Sequence, residues 1–184
     1  MSTEAANRTL DDALTTGPRC GRSRVIAIDG HTGTGKTTLA EEIRAAAGIR
    51  GLSFAVVHTD ELCPGWGGLP EVPRIVEELL EHLAHNAEAS YPTWDWHAAH
   101  PGPDAIVSPA DVIVIEGVGA GARGCVRFFS ARVRLDAPVD VRKKRALDRD
   151  GDTFAPYWDT WAQAEARYFA EEWSQDAAHD RIND

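Results

Sequence analysis

The chain has 184 residues, 43% of them hydrophobic, the size and make-up of one globular domain able to bury a core. Its formal net charge of −10 at pH 7 argues against broad nucleic-acid binding, so an anionic ligand must meet a local cluster of cations. Cys20, Cys63 and Cys125 are odd in number and lack CxxC spacing, which disfavours a disulfide framework or a zinc site.

The N-terminus has no apolar segment behind a basic start, and no apolar run reaches membrane-spanning length, so no signal peptide or membrane association is expected and the expected location is the cytoplasm. Residues 1–23 are polar, with Gly17, Pro18 and Gly21 near their end, and read as a flexible or loosely attached arm. The apolar, β-branched run RVIAID (24–29) reads as a buried strand, followed by the glycine-rich stretch GHTGTGKTT (30–38). In residues 36–48, Leu39, Ala40, Ile43, Ala46 and Ala47 share one helical face, with Gly48 as the expected C-cap. A second buried strand, SFAVVHTDE, ends at Thr59 and Asp60.

CPGWGGLP is loop by its Gly and Pro content, and apolar residues at helical spacing predict a helix over 71–88. YPTWDWHAAHPGPD (91–104) is aromatic-rich and Pro-punctuated, and reads as loop with a short strand. DVIVIEGV is a continuous Val/Ile run, as found in strands covered on both faces. ARVRLDAP is a further strand, closed by Pro138. Residues 139–150 form a strongly basic helix, 153–173 one long aromatic helix with Pro156 near its first turn, and DRIND (180–184) a weak last strand. The alternation predicts one three-layer α/β domain over 24–184, with a mainly parallel sheet of about five strands.

Gly30-x-x-x-x-Gly35-Lys36-Thr37 is a complete GxxxxGK[ST] motif, set after a strand and before a helix. That is the arrangement of a P-loop NTPase. The backbone N–H groups of Gly30, His31, Thr32, Gly33, Thr34, Gly35, Lys36, Thr37 and Thr38 form a nest for anionic oxygens, and the helix dipole points at it. Lys36 reaches the β- and γ-phosphates of a nucleoside triphosphate such as ATP, and the Thr37 hydroxyl ligates Mg²⁺. A dinucleotide G-x-G-x-x-G is absent from this turn, and a GTPase's Asn-Lys-x-Asp is absent from the chain. A motor or AAA-type ATPase is set aside on chain length.

The carboxyl edge of a parallel sheet is where ligands bind. Asp60 falls there and can accept or position the proton of an acceptor hydroxyl. Glu116, ending VIVIE, can hold Mg²⁺ or an acceptor hydroxyl. Arg142, Arg145 and Arg149 lie three and four apart on one helix face, a lid over about 138–153 that can neutralise charge on the phosphates.

IAIDGHTGTGKTTLA, HTDE, VIVIEG and DVRKKRALDRDG together resemble the uridine kinase-like branch of the P-loop kinases over about residues 24–151. The resemblance implies an ATP- and Mg²⁺-dependent kinase with Asp60 as catalytic base, Glu116 at the acceptor or metal, and Arg145 and Arg149 as lid residues. WDWHAAH looks similar to that family's aromatic acceptor segment, with His97 or His100 standing for its base-contacting histidine.

On the acceptor side, Trp66, Tyr91, Trp94, Asp95, Trp96 and His97 can wall a nucleoside-like ring, and Arg123 can reach an acceptor oxygen. A monophosphate acceptor would need further cations, for which Arg74 and Arg123 are the obvious ones. Kinases of another metabolite or an antibiotic, and an ATPase or regulatory nucleotide-binding protein without a small-molecule acceptor, stay open alternatives.

Overall fold

A computed structural model describes residues 3–173 and 180–183. Strands β1 (Arg24–Gly30), β2 (Phe54–His58), β7 (Val112–Glu116), β8 (Phe129–Asp136) and β9 (Asp180–Asn183) form one sheet in the order β2-β7-β1-β8-β9. Every pairing in it is parallel. The weak last strand expected over 180–184 is therefore present over 180–183; residue 184 lies outside the described residues.

Side chains alternate across the sheet, and both faces are covered. Ile26, Ile28, Val112, Val114, Val133 and Leu135 pack against Leu39 and Ile43 of α2 (Lys36–Ile49). On the other face, Val25, Ala27, Val57, Ile113 and Ile115 pack with Ile75, Val76, Leu79 and Leu83 of α4 (Val72–Ala84). Burial on both sides is why these strands are continuous apolar runs. Edge strand β2 is only partly covered, consistent with its place at the end of the order. The architecture is the expected three-layer α/β fold with a parallel central sheet.

Several local expectations are corrected. The segment taken as a loose arm contains a helix, α1 (Thr3–Thr16), whose Ala5, Ala6, Leu10 and Ala13 are buried in the α2-side core. Small residues at helical spacing carry this face, which a search for large apolar residues passes over. Helix α2 runs through Gly48, and the left-handed glycine that follows it is Gly51 (φ 69°). Helix α4 ends at Ala84 rather than 88.

The long aromatic helix is interrupted. Helix α5 (Val139–Phe154) has a kink at Gly151 (φ 53°), a 3-10 turn spans Ala155–Tyr157, and α6 covers Trp158–Glu172. Pro156 lacks an N–H and opens a new helix instead of continuing the old one. Residues 89–107 form two small antiparallel pairs, β3 (Ala89–Tyr91) with β6 (Ala105–Val107) and β4 (Trp94–Asp95) with β5 (His100–Pro101). Among the described residues, no helix is long and apolar enough to cross a membrane.

Candidate active site

The phosphate loop leaves β1 and enters α2 through Gly35, which is left-handed (φ 89°). Thr34 is fully buried and turns its hydroxyl back to the His31 carbonyl at 2.8 Å. Lys36 Nζ donates to the same carbonyl at 3.0 Å. Burial lowers the Lys36 pKa, opposed by the charges of Glu116, Glu165, Asp29 and Asp60. Gly33 (φ 83°) is packed so closely that a Cβ there would stand 2.4 Å from the Arg142 carbonyl oxygen. The start of α5 thus rests directly on the loop.

Register puts the acidic groups in place. Glu116 is the parallel partner of His58, so both side chains leave the sheet on one face, beside the start of α2. Glu116 Oε1 accepts from the Thr37 hydroxyl at 2.9 Å and lies 2.7 Å from His58 Nδ1. Burial pushes the Glu116 carboxyl up, but the hydrogen bond from His58, the Lys36 charge and Thr37 outweigh it and hold it below the ordinary range. The same hydrogen bond raises the His58 pKa. Asp60 stands beyond the end of β2, in the single helical turn α3 (Thr59–Leu62), and is exposed.

These groups meet. A cavity of about 360 Å³ is lined by Thr32, Gly33 and Gly35–Thr38 of the loop, by Asp60 and Glu116, by Arg145 and Arg149 of α5, and by Thr59, Cys63, Leu69, Gly117, Val118, Ala146 and Trp161. Arg149 also pairs with Asp150 through Nε and Nη2, and this pairing raises its pKa.

Arg142, expected to face the phosphates, does not line the cavity. It is buried behind the loop, where its Nε donates to the Ala137 carbonyl at 3.1 Å and its Nη1 lies 3.4 Å from the Thr32 carbonyl. Helical spacing puts it on the face of Arg145 and Arg149, but it sits a turn nearer the loop and is covered by α6.

The aromatic residues expected to wall an acceptor are occupied elsewhere. Trp66 stacks on Tyr157 (ring centroids 4.4 Å apart) and Phe154 (5.3 Å), is tilted against Trp96 (4.7 Å) and meets Trp161 edge-on (6.0 Å). Trp96 donates to the Asp60 carbonyl at 3.0 Å, and Trp94 covers Gly65. Asp95 caps the turn at His97 and Ala98, and His97 and His100 are exposed. Trp66, Trp94, Asp95, Trp96, His97 and Arg123 are all outside the cavity lining. Tyr91 is buried in the α4-side core, Arg74 pairs with Glu78, and the Arg123 amide is held by Glu172.

Two carboxylates not singled out from the sequence anchor the site. Asp29, fully buried, accepts from the amides of Gly30 (2.8 Å), Gly119 (3.3 Å) and Gly121 (2.9 Å), from the Tyr168 hydroxyl (2.5 Å) and from Trp173 Nε1 (3.1 Å). Glu165, 1% exposed, accepts from the Thr32 amide and from Trp161 Nε1. A signal for both was present: each is a carboxylate within an otherwise apolar strand or helix face, where it must find donors.

Among solved structures, the chain is similar to a protein described as a possible uridine kinase from Bacillus stearothermophilus, at 24% identity and TM-score 0.68, with 99% of this chain and 100% of that one covered. It is similar to a candidate fructose transport system kinase from Silicibacter sp. TM1040, at 22% identity and TM-score 0.67, covering 98% of each. A third is D-glycerate 3-kinase from Cryptococcus neoformans var. grubii, at 11% identity and TM-score 0.63, covering 97% and 95%. At these identities the likeness is one of fold. Among the curated proteins no sequence matches the chain. Residues 26–155 match the family model AAA_18, described as an AAA domain, so chain length does not exclude an AAA assignment at the level of family. That stretch holds the phosphate loop, Asp60, Glu116 and the lid arginines, and the chain belongs to the AAA_18 family of AAA domains.

Proposed function

We propose that the chain is an ATP- and Mg²⁺-dependent kinase that moves the γ-phosphoryl group to a hydroxyl of a small molecule. One observation carries this: the phosphate loop, Asp60, Glu116, Arg145 and Arg149 line a single cavity at the carboxyl edge of the sheet. The three similar structures, described as kinases acting on different small molecules, support the same reading.

The donor set suits Mg²⁺. Thr37 and Glu116 offer hard oxygens beside each other, and no group of three or more His, Cys, Asp or Glu among the described residues could hold a metal alone. An ion here would take its remaining ligands from phosphate and water, as Mg²⁺ does. Bound, it would supply charge neutralisation between phosphate oxygens. In this reading, the loop amides and Lys36 bind the polyphosphate, Asp60 receives the acceptor's proton, and Arg145 and Arg149 neutralise charge on the transferred group.

A nucleoside-like acceptor was the reading from WDWHAAH. The packing of Trp66 favours a second one. Four aromatic rings already surround it, and the cavity is near the lower end of ligand-site volumes (roughly 300–1,000 Å³) while having to take phosphates as well. A small non-aromatic hydroxy compound fits such a space better.

The test is an ADP-release assay with Mg²⁺-ATP against ribonucleosides, small sugars and hydroxy acids, with products identified by mass spectrometry. Acceptor-dependent release with a phosphorylated product is expected. Release at one rate whatever the acceptor would point to an ATPase instead.

A further inference from the structure

Glu165 is on the buried face of α6, ten residues beyond the stretch that the family model matches. Its Oε1 accepts from the Thr32 amide at 2.7 Å and from Trp161 Nε1 at 2.9 Å; its Oε2 lies 3.0 Å from His31 Nδ1 and 3.8 Å from Arg142 Nη1. Trp161 Nε1 also reaches the Thr32 hydroxyl at 2.9 Å. Burial pushes the Glu165 carboxyl up, but the hydrogen bonds from His31 and Thr32 outweigh it and keep it below the ordinary range.

We propose that Glu165 is a positioning residue for the phosphate loop, gripping its first half at His31 and Thr32 from outside the cavity. This rests on reading the loop as a nucleotide site. Burying a carboxylate on an apolar helix face is costly unless its donors are fixed, and an apolar residue would serve plain helix packing as well. Here the donors are the loop itself. With the Thr32 amide turned outward and the Thr34 amide on the His31 carbonyl at 3.3 Å, the amides of Gly33, Gly35 and Lys36 are left for the ligand. Lys36, now on the His31 carbonyl, must swing away to reach a phosphate. When it does, Glu165 still holds His31 and Thr32 in register.

The test compares wild type, Glu165→Gln and Trp161→Phe by the dissociation constant for Mg²⁺-ADP, measured calorimetrically, and by the unfolding temperature. Glu165→Gln replaces charge-assisted hydrogen bonds with neutral ones, so nucleotide affinity should fall on the order of tenfold. Trp161→Phe removes one donor that steadies the carboxylate and should give a smaller loss in the same direction. Unchanged affinity in Glu165→Gln, with only the unfolding temperature lowered, would make Glu165 a packing residue and overturn the proposal. So would tighter binding, which is what removal of a negative charge near a phosphate would give if its field mattered more than its grip. Should Glu165→Gln not fold, Trp161→Phe decides by the same criterion. Because the readout is ADP binding, it stands even if no acceptor is phosphorylated; wild type that binds no nucleotide would instead sink the kinase reading itself.

Discussion

Asp29→Asn exchanges a buried acceptor for a group that is half donor. The carboxylate takes two N–H donors on Oδ1 (Gly30 and Gly119) and three donors on Oδ2 (Gly121, Tyr168 and Trp173). An asparagine has one oxygen. If its nitrogen faces the Oδ1 side, the amides of Gly30 and Gly119 lose their acceptor. If it faces the Oδ2 side, the Gly121 amide does, while the Tyr168 hydroxyl can rotate and accept and the Trp173 indole also has that hydroxyl within reach. Either way at least one buried N–H group loses its acceptor, at about 1–3 kcal/mol. We expect a loss of roughly 2 kcal/mol, which for a domain of this size lowers the unfolding temperature by roughly 4–8 °C. Urea unfolding of the nucleotide-free protein at pH 7 measures the first, and calorimetry the second. Tyr168→Phe, which removes one donor and strands none, should cost only about 1 kcal/mol. An Asp29→Asn loss below about 1 kcal/mol would refute the assignment of Asp29 as the acceptor at the root of the loop.

Lys36→Ala should abolish turnover; full activity would sink the phosphate-loop reading altogether. Asp60→Asn should retain ATP binding and lose transfer, and near-normal turnover of that variant would remove Asp60 as the base. The Glu116–His58 pair gives a pH dependence of stability in the metal-free protein. The Glu116 pKa is lowered from 4.5, so its contribution is present above that value and fades as pH falls through the folded pKa. The His58 pKa is raised from 6.5, so its contribution is present below that value and fades as pH rises through the folded pKa. Wild type should therefore lose stability relative to His58→Gln as pH rises above 6.5, and parallel curves in chemical denaturation would count against the pairing.

What the sequence made legible was what local pattern dictates. The Gly-Lys-Thr loop shows in its motif spacing, and the buried strands of a mainly parallel sheet follow from apolar runs alternating with amphipathic helices. Glu116 and Asp60 fall at the carboxyl edge, where a parallel sheet collects strand ends, and both line the cavity. Arg142 was misread because helical spacing fixes a face and says nothing of which turn another helix covers. Aromatic content at Trp66 and in WDWHAAH does not distinguish rings that await a ligand from rings that stack on one another, and Trp66 and Trp96 do the latter. Glu165 escaped notice inside the aromatic stretch 153–173, whose Trp161, Tyr168 and Trp173 belong to the core.

Those three aromatic residues pack and also donate. Trp161 donates to Thr32 and Glu165, while Tyr168 and Trp173 donate to Asp29. Helix α6 and the residue that follows it thus hold the phosphate loop at its root, through Asp29, and along its first half, through Glu165. The loop's second half is fixed differently, by α2 behind it and by Arg142 against Gly33. A glycine-rich loop is conformationally permissive by composition, so a nest of this shape needs restraint from outside it. The GxxxxGK[ST] motif names the anion site, yet the groups that hold it rigid are a strand-end carboxylate and a helix more than a hundred residues away. The candidate phosphate site is therefore held from outside by α6 and Trp173, although every residue proposed to touch a phosphate lies before them.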